Sequence, residues 1–523
     1  MTLPIVWSIA GTDSGGGAGL AADQRAAEAL GTHLCPVVAA VTAQNSVAVT
    51  QVQPVPPGWL DAQLATLAAD MPPRAIKCGM LGSVDNLQVL LRWVDRLRAE
   101  HGDIPLVVDP VLGASTGRGF VDAALLAAYR DELLPRATLL TPNRREAALL
   151  LGELPGSVGE AAAAPALARA LRARGAQAAV ITGGDSAAVD GRVLDWLDTP
   201  QAAGWLAAPR IDTIHHHGTG CTFASSAAAA MALGHVAADA VVLAKMATLH
   251  ALRRGSAAGQ GAGPVRAGIG FGDDPSLMPV LSWGEATGFA PPRETTCESL
   301  GLYAIVDSAA RVQQVLAAGV RSVQLRIKAG AAEAASLRDE IRTALQACRA
   351  VGAQLFINDH WALAIELGAP GVHLGQEDLM ALGDSGRAAL AASGVALGVS
   401  SHSLWELARA RALAPRYIAC GPVWPTLTKR MPWRSQGLDN LRWWCRMADH
   451  PVVAIGGILA PDQAEAAATC GADGVCVVRG LGERPAATVP GFMQALQAGR
   501  EAARPARQEG GLPAPSLPHP MLG

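Results

Sequence analysis

Residues 354–378, QLFINDHWALAIELGAPGVHLGQED, set two short apolar runs on either side of a stretch of helical period. Each run ends in polar residues, Asn358-Asp359 in one case and Gly375 to Asp378 in the other. That pattern predicts two strands of a parallel sheet joined through a helix, with any chemistry at the carboxyl ends of the strands. The same unit recurs in GLYAIVD (301–307), SVQLRIK (322–328), ALGVSSHS (396–403), YIACGPVW (417–424), VVAIGGI (452–458) and GVCVV (474–478), separated by helical stretches such as residues 331–352. Eight strands in about 200 residues match the smallest size of a (β/α)8 barrel.

Working back from there, residues 268–298 lose all periodicity and are rich in Pro, Gly and polar residues, so they read as a linker. Ahead of them, IVWSIAG (5–11), CPVVAAVTAQ (35–44), AIKCGML (75–81), PLVVDPV (105–111), TLLTPN (138–143) and AAVITGG (178–184) alternate with Ala/Leu/Arg-rich helical stretches. This half is expected to be an open α/β sheet with ligand groups beyond its strand ends. The expected organisation is therefore a first domain at 1–267, a linker at 268–298, a barrel at 299–498 and a disordered tail at 499–523.

Composition narrows the function classes. Two large domains suit 523 residues, and 42 basic against 45 acidic residues give a net charge of −3, which argues against nucleic acid or a membrane surface as the partner. The N-terminus carries no basic segment before its short apolar run, and no stretch approaches the ~20 apolar residues that span a bilayer. A cytoplasmic location is expected. The nine cysteines never form a CxxC pair, so neither a disulfide framework nor a structural zinc site is expected.

The stretch HHHGTGCT (215–222) asks for a closer reading. Side chains alternate along an extended segment, so three adjacent histidines cannot face one ion. Gly218 and Gly220 instead let the backbone approach an anion, and the Ala-rich stretch that follows predicts a helix whose N-terminal N–H groups point at it. The earlier loop AGTDSGGGAG (10–19) fits neither the Walker nor the dinucleotide pattern. In the barrel, Gln324, Arg326 and Lys328 alternate, so they are expected to share one face of a strand and converge on one ligand. Asp359 and Asp378 form a carboxylate pair suited to hold magnesium against a diphosphate, with Thr426, Thr428 and Lys429 nearby in sequence order at another strand end. The AIGG stretch (454–457) offers backbone N–H groups to a phosphate.

The motifs AGTDSGGGAGLAADQ (10–24), VTAQN (41–45), TPNRREA (141–147), HGTGCT (217–222) and GQGAGPV (259–265), in this order, resemble the hydroxymethylpyrimidine/phosphomethylpyrimidine kinases of the ribokinase-like superfamily. The resemblance implies ATP-dependent phosphorylation of a pyrimidine alcohol and then of its monophosphate. It places Gln44 on the aminopyrimidine, Asn143 and Glu146 near nucleotide phosphates and magnesium, Gly218 and Gly220 at the phosphate, Asp109 as a further metal-side candidate and Cys221 as the base. A thiol of ordinary pKa ~8.5 is only ~3% thiolate at pH 7, whereas a helix N-terminus that lowered it to ~7 would ionise half of it. Thr182 stands where related kinases carry a lysine.

The second half resembles thiamine phosphate synthase, which joins the pyrimidine diphosphate to a thiazole phosphate and releases pyrophosphate. This implies Gln324, Arg326, Lys328, Asn358 and Lys429 on the diphosphate, Asp359 and Asp378 on Mg2+, and Ser400 on the reacting pyrimidine. Thr426, Thr428, Gly457 and Val478 would meet the thiazole phosphate, and Arg479 stands where the family has a small hydroxyl residue. The expected protein is a bifunctional enzyme of thiamine biosynthesis, a homo-oligomer acting on small molecules. A pyridoxal-type kinase for the first half and a ligand-binding regulatory role for either stay open, while QLRIK (324–328), the two aspartates and TLTK (426–429) together argue against the thiazole tautomerase relative for the second.

Overall fold

The computed structural model describes residues 2–113, 121–153, 161–290, 298–328, 334–426, 432–503 and 511–517. The chain divides into two compact units, Met1–Thr287 and Gly288–Leu517.

The first unit is built on β1 (Ile5–Gly11), β2 (His33–Gln44), β3 (Val49–Pro54), β4 (Ala75–Cys78), β5 (Leu106–Val108), β6 (Leu139–Leu140), β7 (Ala179–Ile181), β8 (Arg192–Asp198), β9 (Ala203–Pro209) and β10 (Val280–Leu281). Among the described residues they form one sheet in the order β10-β9-β8-β7-β6-β5-β4-β1-β2-β3. The centre is parallel and both edges are antiparallel. Strands β4 to β7 are buried throughout, as runs covered on both faces must be. The helix Thr219–Ala232 packs on β1, β4 and β5, and its run of alanines allows that close approach. Its first turn therefore opens over the carboxyl ends of the central strands.

Two expected boundaries are corrected by the structure. Residues 268–287 are not a linker: Leu277 and Met278 are buried, β10 pairs with β9, and Ser282 Oγ accepts from Trp205 N at 2.7 Å. The apolar residues of this segment, set among Pro and Gly, follow neither a helical nor a strand period, which is why it reads as solvated. The remaining linker residues include 291–297, outside the described set. The tail is also ordered in part, because the last helix runs to Ala502, Ala514 N donates to Asn440 Oδ1 (2.7 Å) and Arg434 N donates to Ser516 O (2.7 Å).

The second unit is a closed parallel barrel of β11 (Gly301–Val306), β12 (Ser322–Leu325), β13 (Gln354–Asn358), β14 (Gly371–Leu374), β15 (Ala396–Ser401), β16 (Tyr417–Cys420), β17 (Val452–Ala454) and β18 (Gly474–Val477). β18 closes on β11. Tyr303, Phe356 and Tyr417 fill the interior edge to face, with ring centres 5.1–5.8 Å apart. Such T-shaped contacts suit the ring quadrupoles.

Candidate active sites

In the first unit the end of β1, the end of β2 and the start of the helix Thr219–Ala232 enclose one pocket, lined among others by Asp13, Gln44, Lys77, His217 and Cys221. The loop after β1 is organised by Asp13, whose carboxylate accepts from the N–H groups of Gly15 (2.8 Å), Gly17 (3.0 Å) and Ala18 (2.8 Å) and lies 3.0 Å from His217 Nε2. Burial works against the charge of Asp13, but His217 and these N–H groups outweigh it and hold the pKa below the ordinary carboxylate value. A carboxylate only accepts, so His217 Nε2 donates to Asp13. It cannot also accept from Gln44 Nε2, 3.4 Å away, which leaves the Gln44 amide nitrogen for a ligand.

Gly218 begins the helix with φ +85°, and a Cβ there would lie 2.1 Å from Gly17 O, so the turn needs glycine. The helix has no side-chain cap, and His217 and Cys221 at its start line the pocket, so the helix N-terminus favours negative charge there. Beneath it, Lys77 is fully buried, with Nζ 3.1 and 3.0 Å from the Asp23 oxygens and 4.0 Å from Asp109 Oδ2. Sequence reading missed Lys77, because a lysine inside an apolar strand carries no periodic signal.

The electrostatics correct the expected thiolate. Burial pushes the Cys221 thiol up to about 12, and Asp109 and Asp23 add to this against the opposing pull of Lys77. At that value only about one part in 10⁵ is thiolate at pH 7. Asp109, raised by burial to about 6 despite Lys77, is the ionised neighbour of that thiol at pH 7, and its Oδ2 has no hydrogen-bond partner among the described residues.

Asn143 and Glu146 turn out to form a capping box on the helix Arg144–Leu151: Asn143 Oδ1 accepts from Glu146 N and Glu146 Oε2 accepts from Asn143 N, both at 3.0 Å. Burial, then Asp109, raises Glu146 to about 7. Thr182 Oγ1 donates to Pro142 O at 3.4 Å.

In the barrel only Gln324 of the expected set Gln324, Arg326 and Lys328 lies on β12. β12 stops at Leu325; Gln324 turns inward at 1% exposure and donates to Tyr303 OH (3.1 Å), Arg326 is half-buried beyond the strand, and Lys328 is exposed. Asn358 ends β13 and Asp359 follows it at φ +63°. Burial first and Asp378 second raise the Asp359 pKa against the pull of Arg326, so these groups share one patch of the barrel mouth. Asp378 Oδ2 accepts from Gly375 N at 3.0 Å. Ser400 Oγ, at the end of β15, lies 2.8 Å from His373 Nε2. Position 457 needs glycine, since its φ is +73° and a Cβ would sit 2.6 Å from Trp424 Cβ. Val478 is half-buried and Arg479 exposed beside it, while Thr426 is half-buried after β16. Thr428 and Lys429 lie outside the described residues. Among the described residues no cluster of three or more His, Cys, Asp or Glu can hold a metal ion, and no helix is long and apolar enough to cross a membrane.

The chain's similarities agree with this division. Residues 13–266 match the phosphomethylpyrimidine kinase family and residues 302–481 the thiamine monophosphate synthase family. A probable thiamine biosynthetic bifunctional enzyme of Oryza sativa is 33% identical over 501 residues, covering 93% of this chain and 87% of the rice protein. The corresponding Arabidopsis thaliana enzyme is 34% identical over 473 residues, covering 87% and 85%. Among solved structures, a Bacillus subtilis pyridoxal kinase in complex with ADP is 29% identical, with TM-score 0.47, covering 51% of this chain and 98% of that one. The expected cytoplasmic location is overturned by the two plant relatives, both of which are chloroplastic. The chain belongs to the bifunctional thiamine biosynthesis enzymes, which carry a hydroxymethylpyrimidine/phosphomethylpyrimidine kinase and a thiamine-phosphate synthase in one polypeptide.

Proposed function

We propose that the pocket over β1, β2 and β4 holds the pyrimidine with its aminopyrimidine edge against Gln44 and its hydroxymethyl group against Cys221. The phosphates of ATP lie at Gly218, Gly220 and the N-terminus of the helix Thr219–Ala232, where oriented N–H groups stabilise charge on the transferring phosphoryl group. Asn143 and Glu146 sit on the nucleotide side, beyond the capped helix. The observation that carries this reading is the convergence of Gln44, Asp13–His217, Lys77 and Cys221 on one cavity at an uncapped helix start. Because the resting thiol is protonated, Cys221 accepts the hydroxyl proton as its own passes to Asp109, the carboxylate beside it. Cys221→Ala and Asp109→Asn should each lower ATP consumption with the pyrimidine alcohol at least about 100-fold. Wild-type rates in either variant would remove that residue from the mechanism.

In the barrel, Arg326, Lys328 and Lys429 neutralise the diphosphate, Asn358 donates a hydrogen bond to it, and Gln324 acts from the interior. Asp359 and Asp378 fit Mg2+, since the Asp378 carboxylate adds to burial in raising the Asp359 pKa and a cation between the two would relieve that repulsion. Bound there, the ion supplies charge neutralisation to the leaving pyrophosphate. Thr426, Thr428, Gly457 and Val478 receive the thiazole phosphate, and Ser400 contacts the pyrimidine diphosphate. The electron-rich ring stabilises the methylene cation as pyrophosphate departs, so these residues act mainly by stabilising charge on the leaving group. We further place the two catalytic domains at 1–287 and 299–502, and limited proteolysis that cuts first within 288–298 would support that division. First cuts inside 268–287 would contradict it.

A further inference from the structure

Five side chains inside the barrel form one continuous run of hydrogen bonds between two residues expected to serve the substrate. Gln324 Nε2 donates to Tyr303 OH (3.1 Å), Tyr303 OH lies 2.7 Å from Tyr417 OH, Tyr417 OH lies 2.8 Å from His373 Nδ1, and His373 Nε2 lies 2.8 Å from Ser400 Oγ. Gln324, Tyr303, Tyr417 and His373 are all buried, and the His373 ring stacks on Tyr417 at 17°. Only Ser400, half-buried at its strand end, reaches the barrel mouth.

The direction of this run follows from counting protons. Were it to run from Ser400 inward, Tyr303 would accept from both Gln324 and Tyr417 and its own O–H would be left without an acceptor inside an apolar core. A buried donor left without an acceptor is unfavourable enough to decide between the two arrangements. So Tyr303 donates to Tyr417, and Tyr417 donates to His373 Nδ1. Nδ1, accepting from Tyr417, carries no proton, so the ring is neutral and its one proton sits on Nε2 and is given to Ser400 Oγ. The Ser400 hydroxyl hydrogen is then left to point at a ligand.

We propose that His373 is a positioning residue of the coupling reaction, which by donating Nε2–H to Ser400 fixes the serine hydroxyl as a hydrogen-bond donor to an oxygen of the departing diphosphate. A donor aimed at a ring nitrogen would withdraw electrons from the forming cation, whereas one aimed at the leaving oxygen stabilises its growing charge. This inference rests on the reading of Ser400 as a substrate contact.

The test is a double-mutant cycle on the full chain, supplied with the pyrimidine diphosphate and thiazole phosphate. Ser400→Ala should lower the coupling kcat about 100-fold. His373→Leu should lower kcat about tenfold or more while changing KM for the diphosphate little, and the double variant should be no slower than Ser400→Ala alone. His373→Gln, whose amide nitrogen can occupy the place of Nε2, should recover most of the rate. Losses that multiply in the double variant, or a wild-type His373→Leu beside a slow Ser400→Ala, overturn the inference alone; a wild-type Ser400→Ala overturns the Ser400 reading and the inference with it. Should His373→Leu not fold, Tyr417→Phe, which keeps the ring and removes only the hydroxyl, enters the same cycle with the same non-additivity required.

Discussion

Replacing Lys77 with Met tests how the kinase pocket is held. Lys77 Nζ bonds both Asp23 oxygens, and the same carboxylate accepts from Ser8 Oγ at 2.6 Å and Ser225 Oγ at 2.7 Å. Methionine keeps the apolar stem and removes the ammonium, so Asp23 remains buried with only two hydroxyl donors. Breaking a buried ion pair in this way costs about 3–5 kcal/mol, against a total stability of about 5–15 kcal/mol. The first unit should still fold, with Tm lowered on the order of 10 °C at roughly 2–4 °C per kcal/mol. A second effect reaches the chemistry. Lys77 is the cation that draws down the pKa of both Cys221 and Asp109, so its loss raises both and slows proton acceptance. Calorimetry of the intact chain and ATP consumption with the pyrimidine alcohol read the two effects separately. Adding Asp23→Asn should recover much of the Tm but not the kinase rate. A Lys77→Met chain that melts within about 1 kcal/mol of wild type and phosphorylates normally would refute this reasoning.

Other outcomes follow from the same geometry. Lys328→Ala and Lys429→Ala should each slow coupling about 100-fold, the loss of one preorganised donor worth about 3 kcal/mol, read as thiamine phosphate formed from supplied diphosphate. Asn143→Ala removes half of a capping box and should destabilise the first unit by about 1 kcal/mol in denaturant titration. Alkylation of Cys221, followed by mass spectrometry of its peptide, should accelerate about tenfold per pH unit from 7 to 9 without levelling off, because the thiol titrates far above that range. A plateau with a midpoint near 7 would restore the helix-activated thiolate.

The barrel was legible in the sequence because each of its strands is a short buried run bounded by polar strand ends, and all eight lie where the runs were marked. The central strands of the first unit were legible for the same reason. Its edges were not. β8 carries Asp195 and Asp198 inside an otherwise apolar run, and Asp195 is tolerable there only because Gly183 N and Lys245 Nζ reach it from elsewhere in the chain. β3 faces half to solvent, and β10 is two residues long. At the sites, the phosphate turn at Gly218 was readable from glycine spacing, since the demand for a positive φ is local. The Asn143/Glu146 spacing carried a capping meaning beside the ligand one, and sequence alone weighed only the second. Lys77, Asp13 and His373 were missed because their significance lies in partners 27 to 204 positions away. The pKa of Cys221 depends on burial and on Asp109 and Asp23, none of which the helix start announces.

The most direct measurement supplies the intact chain with ATP, magnesium, the pyrimidine alcohol and thiazole phosphate and follows thiamine phosphate, in wild type and in Cys221→Ala. Wild type should form it from the alcohol, and Cys221→Ala should form it only when the pyrimidine diphosphate is supplied, at the wild-type coupling rate. Wild-type product from the alcohol by Cys221→Ala, or no product from supplied diphosphate by either chain, would contradict two independent sites acting in sequence.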